Sequence, residues 1–85
     1  MLELRRAETL LEQLDARFKG DDFQTTLEKL EQPTGPRHAV VTAVLETQDA
    51  ARRNDLILVG RHIEENTAIE LRVKTGPTGT RLEFR

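Results

Sequence analysis

The apolar positions at the start of the chain fall on one helical stripe. Leu4, Ala7, Leu11, Leu14 and Phe18 follow a 3-4-3-4 spacing, with Leu10 beside them, while Arg5, Arg6, Glu8, Glu12, Asp15 and Arg17 fill the other faces. This spacing predicts a first amphipathic helix from about Leu2 to Lys19, stopped at Gly20. Asp21 can cap a second helix, with Gln24 three residues on as its capping-box partner. Phe23, Leu27 and Leu30 then share a helical face, although the β-branched Thr25 and Thr26 oppose helix here. Pro33, Gly35 and Pro36 break the chain into a helical part (1–32), a linker (33–37) and a sheet part (38–85) of a single domain.

The segment His38 to Thr47 reads two ways. Val40, Val41, Thr42 and Val44 favour a strand, yet Val40/Val44 and Val41/Leu45 are also helical pairs. We take the strand, followed by a polar loop over Gln48 to Asp55 that has room for a helical turn. Leu56 to Ile63 is apolar on both faces and reads as a central strand, with Glu65-Asn66 as a tight turn after it. Ile69, Leu71 and Val73 alternate with Glu70, Arg72 and Lys74, the pattern of a half-buried strand. Leu82 and Phe84 alternate in the same way after the turn Thr75 to Thr80.

That last hairpin has an arguable register. A four-residue loop, Gly76 to Gly79, sets Val73 opposite Leu82 and Leu71 opposite Phe84. On the other face it sets Arg72 opposite Glu83 and Glu70 opposite Arg85, leaving Lys74 against Arg81 as the one mismatch. A one-residue slip would turn the whole apolar set to solvent. The expected architecture is α+β: two N-terminal helices followed by a three- or four-stranded antiparallel β-meander, with no internal repeat and no low-complexity segment.

Size and composition narrow the function more than they name it. Eighty-five residues make one domain with a modest core, a size at which oligomerisation is a common source of stability. There are no cysteines, which removes disulfides, thiol catalysis and thiolate metal sites. Charged residues make up 33% of the chain but the net charge is only −2, so neither a strongly basic nucleic-acid binder nor an acidic mimic is indicated. The charge splits weakly: residues 1–32 carry eight acids and five bases, residues 33–85 seven acids and eight bases. The longest apolar run, Leu56 to Val59, is far too short to span a membrane, and the N-terminal residues do not form a signal peptide. A cytoplasmic location is the default expectation.

Candidate chemistry is sparse. His38 and His62 are the only histidines, and in a strand His62 and Glu64 would share a face as a general acid/base pair. Against this, a histidine beside surface acids is an ordinary arrangement. No spacing supports a metal, and the glycines of Thr34 to Pro36 and Thr75 to Gly79 match no phosphate-binding loop. No catalytic residue, cofactor or metal is expected.

Arg52 and Arg53, with Arg61 and Arg72, form a possible arginine cluster for a phosphate or carboxylate, although a solvated surface is the plainer reading. With no Tyr or Trp and only three Phe, no stacking platform for single strands is expected. The stronger signal is apolar excess. One layer of helices covers one face of a sheet, so Ile57, Val59 and Ile63, or else Leu56 and Leu58, would lie opposite that layer and form a partner surface. The sequence therefore favours a non-enzymatic protein-binding or regulatory module, such as a small inhibitor or adaptor, that binds a protein or itself as a homodimer. The alternatives are a nucleic-acid-binding regulator using the arginines and a small ribonuclease. A helix pair before an antiparallel sheet resembles the toxin-type endoribonucleases in architecture, with no matching residue motif.

Overall fold

The structure, a computed structural model, describes residues 1–31, Gly35 and residues 37–85. The elements run α1 (Leu4–Arg17), β1 (Phe23–Leu30), β2 (His38–Leu45), α2 (Ala50–Asn66), β3 (Leu71–Thr75) and β4 (Thr80–Phe84). One four-stranded sheet has the order β1-β2-β4-β3, with every neighbouring pair antiparallel. The α+β class, the antiparallel sheet and the strand at His38 agree with the sequence. The element order does not: a helix, two strands, a helix and two strands replace the two leading helices. Nor is the sheet a meander, because β4 rather than β3 lies beside β2. The chain is two α-β-β units in succession, which meet through their inner strands β2 and β4.

Two segments account for the difference. The second helix expected from Asp21 is instead β1. Phe23, Thr25 and Leu27 turn toward α1 while Gln24, Thr26 and Glu28 are exposed, a period of two that the β-branched threonines favour. Conversely, the strand expected over Leu56 to Ile63 lies inside α2. Asp49 caps this helix, accepting from the N–H groups of Ala51 and Arg52 at 3.0 and 3.4 Å. Glu65 and Asn66, expected as a turn, are its last residues. The apolar run Leu56 to Val59 winds around a helix, so Leu56 is buried while Leu58 is 65% exposed.

Gly60 lets α2 approach the sheet. A Cβ there would stand 2.8 Å from Leu82 Cδ1 and 3.3 Å from Leu71 Cδ2. The C-terminal hairpin adopts the expected register, with Leu71 opposite Phe84, Arg72 opposite Glu83, Val73 opposite Leu82 and Lys74 opposite Arg81. Glu70 and Arg85 exchange backbone hydrogen bonds at 3.0 and 2.9 Å. The charged side chains pair along the strands rather than across them, Arg72 with Glu70 and Arg85 with Glu83.

Both helices lie on the same face of the sheet. Ala7, Leu10 and Leu14 of α1 and Leu56 of α2 pack with Val41, Ala43 and Leu45 of β2 and with Leu82 and Phe84 of β4. Phe18 and Phe23 close one end, their ring centroids 5.4 Å apart. The opposite sheet face is mostly polar, with Gln24, Thr26, Glu28, Thr42, Arg72, Lys74, Arg81 and Glu83. The expected apolar patch of Ile57, Val59 and Ile63 is therefore not on the sheet; its residues belong to the helical layer. The linker positions Pro33 and Pro36, and Thr34 between them, fall outside the described residues.

Candidate functional site

The site begins with the two flanks of α1. Around its buried stripe, Arg6 and Arg17 lie on the side facing α2, whereas Glu8 and Asp15 lie on the side facing the β1 edge, as the 100° step per residue requires. Between α1 and α2 runs a groove with two lobes of about 420 and 710 Å³, joined at Gln13, His62 and Ile63. Its floor is apolar: Leu10, Leu14, Val59, Ile63 and Ile69. Arg5 and Arg6 flank one lobe. At the other, Arg17 Nη2 meets Asp55 Oδ1 at 3.2 Å, with Leu58 on the rim.

The seven expected contact residues separate into three groups. Val59 and Ile63 line this groove, and Ile57 packs against the core beside it. The arginines do not converge. Arg52 is a strut between the two halves: its guanidinium holds the Asp22 carboxylate through Nε and Nη2 at 3.0 Å each and donates to the carbonyls of Phe18 and Lys19 at 3.0 and 3.3 Å. That hydrogen bond from Arg52 holds the Asp22 carboxyl below its ordinary value of 3.8. Arg53 donates to the carbonyls of Gly76 and Pro77 in the β3–β4 turn. Arg61 is exposed on α2, and Arg72 projects from the far face of the sheet.

The His62–Glu64 pair loses its basis in a helix, where residues two apart point about 200° apart. Asn66 Nδ2 donates to the His62 carbonyl at 2.8 Å and lies 3.2 Å from its ring Nδ1. Glu64 Oε2 instead accepts from the Leu71 N–H at 3.1 Å, at the start of β3. His38 sits on the other face of the sheet, beside Glu28 and Glu83. Among the described residues no group of three or more acidic or histidine side chains could hold a metal. Among these residues no helix is long and apolar enough to cross a membrane. The likeness to toxin-type endoribonucleases rested on a leading helix pair, which β1 removes.

Sequence reasoning named Leu58 only as an alternative and missed Arg5 and Arg6. The charge asymmetry of α1 was visible as Arg6 and Arg17 against Glu8 and Asp15, but it gains meaning only once α2 is known to lie on the basic side. No family model matches this chain, and no curated protein or solved structure shows significant similarity to it. What the groove offers chemically is apolar surface with cations at one end.

Proposed function

We propose that this chain is a non-enzymatic protein-binding module, a small regulator or inhibitor that takes an amphipathic helix of a partner protein into the groove between α1 and α2. The observation that carries the reading is the apolar floor between the helices, only half-buried at Val59 and Ile63, with Leu58 65% exposed at its rim. An amphipathic helix presents apolar residues at i, i+3, i+4 and i+7, which suits an elongated trough with two lobes. Arg5 and Arg6 have no acidic partner among the described residues, so they favour acids on the flank of the bound helix.

A photo-crosslinking residue at Gln13, on the groove wall, tests this in extracts of the native host. The crosslinked segment should carry apolar residues at helical spacing and acids on one flank, and Leu58→Asp should reduce its capture at least tenfold without unfolding the domain. A crosslinked nucleic acid, a segment without that pattern, or capture that ignores Leu58→Asp would each refute the reading.

A further inference from the structure

We propose that β1 pairs with β1 of a second copy of this chain, joining two four-stranded sheets into one continuous antiparallel sheet. β1 is an edge strand of eight residues, FQTTLEKL, with no proline to block addition of a strand. Its free hydrogen-bonding groups can be assigned. The Glu46 N–H donates to the Asp22 carbonyl at 2.8 Å, just beyond the Phe23–Leu45 pair. Alternation then turns the N–H and C=O groups of Gln24, Thr26 and Glu28 toward β2, and those of Thr25, Leu27 and Lys29 toward the open edge.

A two-fold axis through Leu27 uses all of these groups. It sets Leu27 opposite Leu27 and Thr25 opposite Lys29 of the second copy, each residue donating and accepting once. The same axis matches charge. Thr25 Oγ1 donates to Asp15 Oδ1 at 2.6 Å, so the Asp15 carboxylate of α1 stands over Thr25. Lys29 of the second copy arrives opposite that residue, on the same face of the sheet. Asp15 and Lys29 are both exposed, and neither has an ion-pair partner among the described residues. Two symmetric Asp15–Lys29 pairs result.

Neighbouring registers are worse. An axis through Glu28 brings two acids face to face, and one through Thr26 sets Lys29 against the buried Phe23. The spacing of the helices also allows it. α1 lies over β1 and β2, and strands are about 4.8 Å apart. Two such helices would therefore stand roughly 10 Å apart, within ordinary helix-packing distance. Leu11, half-buried and level with Leu27, would meet its counterpart there. This edge is on the opposite flank of α1 from the groove, so its failure leaves the groove proposal standing.

Sedimentation equilibrium over a concentration series tests the pairing. The wild-type chain should approach twice its 9.7 kDa mass. Leu27→Pro removes an N–H from the open edge without touching the ladder to β2, and should be monomeric with unchanged circular dichroism. Lys29→Glu should weaken the dimer about tenfold, and adding Asp15→Lys to it should restore the affinity by reversing both partners. A wild-type mass of 9.7 kDa throughout, a dimer that survives Leu27→Pro, or a double variant no tighter than Lys29→Glu would overturn the proposal. Where Leu27→Pro does not fold, the charge reversal decides alone.

Discussion

The two halves of this molecule, α1-β1-β2 and α2-β3-β4, follow one plan and finish it differently. Each lays a helix on a hairpin, and each gives its second strand to the centre of the sheet. The second half protects its outer edge. β3 has five residues, carries Arg72 and Lys74, and ends in a turn tied to α2 by Arg53. The first half leaves eight residues of β1 on its edge, with threonines at the middle. The helices differ in the same sense. α1 confines its apolar side chains to a stripe, whereas the run Leu56 to Val59 winds around α2 and leaves Leu58 in solvent. A shared topology therefore sets where the strands lie, while the side chains decide which outer surfaces remain available to another chain.

Truncations at the centre and the edge of the sheet give the largest test of this contrast. Phe84 is fully buried on β4, opposite Val41 on one side and Leu71 on the other. Phe84→Ala should cost about 3–5 kcal/mol, a large part of the stability of a domain this size. Leu27 is only half-buried on the open edge, and Leu27→Ala should cost about 1–2 kcal/mol in the monomer. Urea unfolding of dilute protein measures both. Equal costs would mean that the two halves do not differ as their burial indicates.

The strut between the halves comes next. Arg52 reaches from α2 to the carbonyls of Phe18 and Lys19 at the end of α1, and losing those hydrogen bonds in Arg52→Ala should cost about 1–2 kcal/mol. Its bond to Asp22 adds a pH dependence. The folded-state pKa of Asp22 is lowered, so the contribution is present above the unfolded value, near 3.8, and is lost as the pH falls through the lower folded value. Stability should therefore fall less steeply below pH 3.8 in Asp22→Asn than in the wild type. Identical acid limbs in the two proteins would remove Asp22 from the account.

The sequence was most legible where the pattern was local and repeated. The α1 stripe and the β3–β4 register follow from spacing alone, and both are present in the fold. It misled where a short apolar run had two readings. Leu56 to Val59 has no preferred face, so its secondary structure is set by the Asp49 cap and by the place of Gly60 against Leu82 and Leu71, which is a tertiary fact. At β1 the apolar positions Phe23, Leu27 and Leu30 match a helix as well as a strand, and the β-branched Thr25 and Thr26 tip the balance to the strand. The candidate site inherited both errors. Val59 and Ile63, expected on a sheet, lie in a groove, while the arginines expected as a cluster are dispersed around α2 and across the sheet.

The smallest effect asks whether the charges on β3 serve the edge or the hairpin. Lys74 stands directly opposite Arg81, two cations in the one unfavourable pair of an otherwise well-matched register. If stability alone governed the position, an acid would occupy it. Lys74→Glu should raise stability by about 0.2–1 kcal/mol through the new cross-strand pair, and Arg81→Gln should abolish that gain in a double-mutant cycle. A charge still stands on the edge in Lys74→Glu, so its association state should match the wild type. Lys74→Thr removes the charge while keeping β propensity, and paired with Arg72→Thr it should promote association beyond a dimer, seen by light scattering. Should the uncharged edge leave the association state unchanged, the contrast between a guarded β3 and an open β1 would rest on strand length alone.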